Sequence, residues 1–163
     1  MSDDTMMTRR AWVARATSVI GSGLALGALL PRASGAMAKP ASITVYKDPS
    51  CGCCTKWVDH LRSSGFAPVV HDRSDMDALK DSLAVPAALR SCHTAVAGRY
   101  VVEGHVPATD IKKLLAAAPS NVVGLAVPGM PVGSPGMEMG SRADRYDVIA
   151  FGAKGTTNVF TRH

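Results

Sequence analysis

Ile43-Thr44-Val45-Tyr46-Lys47-Asp48-Pro49-Ser50-Cys51-Gly52-Cys53-Cys54-Thr55 carries a β-rich run straight into a cysteine cluster. Lys47-Asp48-Pro49 ends the strand, and the helical spacing of Trp57, Val58 and Leu61 begins just after the cysteines. Three of the chain's four cysteines therefore sit at a strand-to-helix turn. Thiols at a helix start feel unpaired backbone N–H groups and the positive end of the dipole, which favours thiolate. Thiolate both attacks disulfides and binds soft metals. Cys51 and Cys54 have C-x-x-C spacing, Cys51 and Cys53 form a tighter pair, and three thiols are more than a redox pair needs.

Downstream, Ser63-Ser64-Gly65 closes the first helix and Phe66 to Val70 reads as a strand ending at His71-Asp72. Ser74 is the expected cap of a second helix that carries Met76, Leu79 and Leu83 at helical spacing, with Asp75 and Asp77 in its first turn. Val85-Pro86 interrupts it, and Ala87 to Arg90 adds a turn. Thr94–Ala97 and Tyr100–Glu103 flank Gly98-Arg99, which suits a type II′ hairpin. Thr109 is the expected cap of a third helix with Ile111, Leu114, Leu115 and Ala118 inward, stopped by Pro119. The order β-α-β-α-β-β-α, with C-x-x-C at the first strand-to-helix turn, predicts an α/β, thioredoxin-like fold. Residues 121–163 form a C-terminal extension: a Gly/Pro/Met-rich loop over 127–141, then short strands at Tyr146–Phe151 and Asn158–Thr161.

The N-terminus reads as an export signal. Thr8-Arg9-Arg10-Ala11-Trp12-Val13 has the twin-arginine pattern, an Ala/Gly/Leu-rich stretch follows, and Ala36-Met37-Ala38 is an A-x-A cleavage pattern. An ordinary secretory signal is the competing reading. Residues 1–38 are thus expected to be removed, leaving a 39–163 domain in the periplasm with no stable membrane anchor. Their removal takes away four of 18 basic and two of 13 acidic side chains, lowering the net charge from +5 to +3. No basic run or aromatic-interleaved patch is left, which argues against a nucleic-acid partner. Four clustered cysteines also argue against a disulfide-stapled scaffold.

The segment leading into the third strand, Ser91-Cys92-His93-Thr94, lies against the cysteine turn in such a fold. Disulfide oxidoreductases of this fold place a cis-proline there, and a cysteine and histidine stand in its stead. That favours metal over dithiol chemistry, with Cys51, Cys53, Cys54 and Cys92 as ligands and His93 as a further one. Cu(I) suits a thiolate-rich site with nearby thioethers, and bridging thiolates can hold several cuprous ions. Zinc on four thiolates, or three and His93, is the main competitor. A thiol–disulfide enzyme is the other alternative, with Cys51 and Cys54 as its pair and Cys92 as a resolving thiol. Met130, Met137 and Met139 lie in the irregular loop, and Met137 is the first choice of thioether ligand. His60 is expected on the solvated side of its helix and His163 to be mobile; His105 either approaches the site or starts the third helix.

Four separated motifs, in order, add a resemblance. They are Tyr46 through Cys54, Cys92-His93-Thr94, Glu103-Gly104-His105-Val106-Pro107, and Val127-Pro128-Gly129-Met130-Pro131 onward to Ser134-Pro135-Gly136-Met137-Glu138. They resemble the bacterial family of unknown function that includes the copper-resistance protein CopG. The resemblance spans nearly all of residues 39–163 and implies a thioredoxin-like, periplasmic, metal-binding protein of copper handling. It implies a copper–thiolate site of Cys51, Cys53, Cys54 and Cys92, with metal ions and other periplasmic copper proteins as partners. Storage, transfer, and redox conversion between Cu(I) and Cu(II) stay open as roles.

Overall fold

A computed structural model describes residues 41–163. The export-signal reading of residues 1–38 falls outside the described residues. The first seven strands and helices appear in the expected order: β1 (Ala41–Lys47), α1 (Gly52–Ser63), β2 (Phe66–Asp72), α2 (Met76–Ser82), β3 (His93–Ala97), β4 (Tyr100–Glu103) and α3 (Ala108–Ala117). Three further strands follow: β5 (Gly124–Ala126), β6 (Asp147–Phe151) and β7 (Thr157–Arg162). All seven strands join one mixed sheet in the order β2-β1-β3-β4-β5-β6-β7. The β1–β2 and β4–β5 pairs are parallel and the other four antiparallel.

Alternation along the strands assigns each face. Val102 and Leu125 join the main core with Ile43, Val45, Trp57, Leu61, Ile111 and Leu114, so α1 and α3 contribute to the same cluster. Their neighbours Val101 and Ala126 point the other way, into a smaller cluster with Val85, Leu89 and Phe151. Gly98 takes φ +60° as the first residue of the β3–β4 connection, as the hairpin requires. The sequence gives no sign of β5, which is three residues long. Gly124 belongs there because a Cβ would stand 2.1 Å from the Val101 carbonyl oxygen and 2.6 Å from the Phe151 ring.

Several local expectations need correction. Asp75, not Ser74, is the N-cap of α2, and its carboxylate pairs with Arg73 instead of capping the helix N–H groups. Met76, Leu79 and Leu83 are half-buried, and the buried residue of α2 is Lys80. Its ammonium pairs with the fully buried Glu103 carboxylate and donates to Thr94 Oγ1 at 2.8 Å. Pro107, not Thr109, caps α3. His60 is half-buried rather than solvated, because its Nε2 accepts the Ala108 N–H at 3.0 Å and so serves that helix start. Ala118 ends α3 in the left-handed region (φ 44°) and faces solvent instead of the core. His163 is held rather than loose: its Nε2 lies 2.7 Å from Asp110 Oδ2, and its ring stacks on Tyr146. Among the described residues no helix is long and apolar enough to cross a membrane.

Candidate metal centre

Sheet register brings the two cysteine segments together. Lys47, the last residue of β1, pairs with His93, the first of β3, so the cysteine turn after β1 faces the segment before β3. Cys51 is the N-cap of α1, where its Sγ accepts the Cys54 N–H at 3.3 Å. A disulfide joins Cys51 to Cys54, while Cys53 and Cys92 are free thiols. Cys53 Sγ lies 3.5 Å from Cys51 Sγ. The ligand atoms of Cys51, Cys53, Cys54 and Cys92 all fall within 4.8 Å of one another. The lone downstream cysteine therefore does fold back onto the other three.

Cys92 also belongs to a second donor group with His93 and His105, again within 4.8 Å. Its Sγ is 3.2 Å from His93 Nδ1 and 3.1 Å from His105 Nε2. His105 Nδ1 lies 2.8 Å from the Pro135 carbonyl oxygen, which can only accept, so Nδ1 carries the proton. In the neutral ring Nε2 then presents a lone pair to Cys92. Metal-binding histidines commonly have this arrangement, with a carbonyl fixing the ring from behind. Burial lowers the pKa of both histidines, His93 well below the ordinary value, so the lone-pair form is favoured. Burial, then the neighbouring Cys53 thiol, pushes the Cys92 thiol up to about 12. A metal ion entering here must displace that proton.

His93 is fully buried beside Trp57, with ring centroids 4.3 Å apart. Its Nε2 is the one buried side-chain nitrogen or oxygen without a hydrogen-bond partner among the described residues. An orphaned polar atom of this kind costs about 1–3 kcal/mol, which an apolar residue would avoid. What the imidazole offers in return is Nδ1 opposite the Cys92 sulfur. Soft thiols and neutral imidazoles fit a cuprous ion, and the same set satisfies zinc.

A backbone network fixes this half of the site. Glu103 Oε1 accepts the Ser91 N–H at 2.7 Å, and Thr94 Oγ1 donates to Oε2 at 2.6 Å. Cys92 and His93 are thus clamped on both sides. From the other direction, Gly136 packs onto α1 at φ +86°, where a Cβ would meet the Cys53 oxygen and Trp57 nitrogen at 2.8 Å. Met137 then lines a cavity of about 400 Å³ together with Gly52, Cys53, Lys56, Gly136, Glu138 and Met139. Met130 is exposed and absent from that lining. A larger cavity of about 690 Å³, between Pro128, Tyr146 and Arg162, has no sulfur in its lining.

Of the residues expected from sequence, the four cysteines and His93 converge, and Met137 stands beside Cys53. His105, for which the sequence keeps two roles open, belongs with Cys92; no local signal separates it from His60. A family model described as "Protein of unknown function, DUF411" matches residues 89–137, which contain Cys92, His93, His105 and Met137. Two solved structures titled "Copper resistance protein copG", Form 2 and Form 1, are each 48% identical to the chain. Each match covers 76% of this chain and 98% of the other, with TM-scores of 0.73 and 0.72. This chain belongs to the DUF411 family. No curated protein matches it. The mixed α/β fold and the cysteine cluster are thus those of a DUF411 protein with copper-resistance relatives.

Proposed function

We propose that this chain handles copper outside the cytoplasm, taking up Cu(I) as cargo between the cysteine turn of α1 and the start of β3. The observation that carries the proposal is the convergence of four sulfurs with two imidazole nitrogens around Cys92. Copper-resistance relatives at 48% identity favour copper over zinc. The strands β2-β1-β3-β4 with α1 and α3 support reading residues 41–117 as a thioredoxin-like unit, extended by β5–β7. The twin-arginine pattern supports periplasmic delivery of the 39–163 domain.

Cys53, Cys92, His93 and His105 are the donors available with the disulfide closed. Adding two electrons and two protons to the Cys51–Cys54 bond yields two more thiols, completing the four-sulfur set. In the reverse sense the two thiolates can give one electron to each of two Cu(II) ions, leaving two Cu(I) and the disulfide. The Cys51–Cys54 bond also favours a second reading, a thiol–disulfide oxidoreductase attacking through Cys51.

Anaerobic titration of the reduced protein with Cu(I) and with Zn²⁺, read by native mass, separates these readings. Tight retention of Cu(I), lost in a Cys51→Ser/Cys54→Ser variant, is expected. Equal copper retention by both proteins would end the proposal. Metal-free reduction of insulin disulfides at an enzymatic rate would favour the oxidoreductase.

A further inference from the structure

We infer that Met137 and Met139, with the Cys53 thiol, form an outer port where a cuprous ion is captured before it passes inward to Cys92. This rests on the copper reading above. The three sulfur residues share the wall of one open cavity of about 400 Å³. Cys53 is the free thiol of the turn and belongs to the four-sulfur group that contains Cys92. It therefore borders both the cavity and the inner centre.

Met137 is half-buried, and Met139 fills no core. Met139 is 65% exposed, so most of the roughly 1.5–3 kcal/mol that burying its side chain would contribute is not realised. An exposed apolar residue alone means little. Here it stands on a loop tied to the fold at two points and braced internally at a third. Gly136 abuts the α1 backbone, the Pro135 carbonyl accepts from His105, and Glu138 Oε1 and Oε2 accept the Gly136 N–H at 3.0 and 2.9 Å. The loop thus holds Met137 and Met139 at the cavity instead of letting them collapse onto the sheet.

The chemistry grades inward. A thioether is neutral and soft, so it takes Cu(I) without losing a proton and discriminates against Zn²⁺ and other harder ions. Thiolate is the stronger donor, so transfer toward Cys53 and Cys92 runs downhill. Each step forms one Cu–S(Cys) bond as one Cu–S(Met) bond and the thiol S–H bond break, the proton leaves to water, and copper stays in the +1 state. Lys56 and Glu138 place one charge of each sign at the mouth, giving no strong field to hold the ion there.

The test is a Met137→Leu/Met139→Leu variant of the reduced full chain, since Leu for Met nearly conserves volume. Under anaerobic conditions Cu(I) is supplied as a bicinchoninate complex, and transfer rate and equilibrium affinity are measured separately. The rate is expected to fall on the order of tenfold while the affinity changes less than about threefold. Substoichiometric Ag⁺ should also shift the Met137 and Met139 methyl resonances of the unmodified protein. An unchanged rate overturns the port. Equal losses in rate and affinity overturn it too, making the thioethers permanent ligands. Should the double variant not fold, Met139→Leu alone, at an exposed position, gives the same readout. An unmodified protein that takes up no Cu(I) at all would instead sink the copper reading.

Discussion

Lys80→Met removes the cationic half of a buried ion pair while keeping most of the side chain's apolar stem. Glu103 is fully buried, and its carboxylate is served by the Lys80 ammonium, the Ser91 N–H at 2.7 Å and the Thr94 hydroxyl at 2.6 Å. After the substitution two hydrogen bonds survive and the counter-charge does not. Breaking a buried pair from one side costs about 3–5 kcal/mol, and the surviving donors place this case near 3 kcal/mol. For a domain of this size that loss lowers Tm by about 10–15 °C. Urea and thermal unfolding at neutral pH measure it. Lys80→Met combined with Glu103→Leu should recover part of the loss, since replacing both partners is close to neutral. Recovery stays incomplete because the Ser91 N–H and Thr94 hydroxyl lose their acceptor, at about 1–3 kcal/mol each. Those two residues flank Cys92 and His93, so the double variant should also retain Cu(I) less tightly than its stability alone implies. A Lys80→Met protein within about 1 kcal/mol of the parent would refute the reasoning.

Two further outcomes follow from the loop and the helix start. Gly136→Ala puts a Cβ 2.8 Å from the Cys53 oxygen and Trp57 nitrogen at φ +86°, and should destabilise the fold by about 2 kcal/mol or more. An unshifted urea midpoint would show that the loop does not dock on α1. Burial lowers the His60 pKa, with Glu138 pulling weakly the other way, and the neutral ring accepts the Ala108 N–H. As pH falls through the unfolded value near 6.5, the unfolded chain takes the proton first, so stability present above that pH declines below it. His60→Gln keeps an acceptor that does not titrate, so its Tm should fall less between pH 7 and 5; identical slopes in the two proteins would contradict the assignment.

What the sequence made legible was whatever depends on local repetition. Strand β1 alternates, α1 carries Trp57, Val58 and Leu61 on one face, and the C-x-x-C spacing alone put Cys51 within reach of Cys54. Features set by distant partners were not legible. Lys80 reads as a solvated helix residue until Glu103, 23 positions on, comes to lie against it. Ser74 and Thr109 are sound N-cap residues on composition. The start of α3 is instead served by His60, 48 positions upstream. His60 and His105 are alike as letters; one faces a backbone amide and the other a thiol.

The same long-range placement couples the redox state of the turn to its ligand capacity. Cys51 acts at once as the cap of α1, as half of the disulfide, and as a neighbour of Cys53 at 3.5 Å. Opening the disulfide leaves the cap in place, because a thiolate at Cys51 accepts the Cys54 N–H better than a disulfide sulfur does and is favoured by the helix dipole. Reduction therefore adds two donors without asking α1 to move. On the other side of the cleft, Cys92 and His93 are held by Glu103 through Ser91 and Thr94, a network that contains no redox-active group. One wall of the site changes its number of donors with electrons, and the opposing wall keeps its geometry. A protein built in this way can gain or release a soft ion by thiol chemistry at α1 alone, with the imidazole side serving as a fixed template.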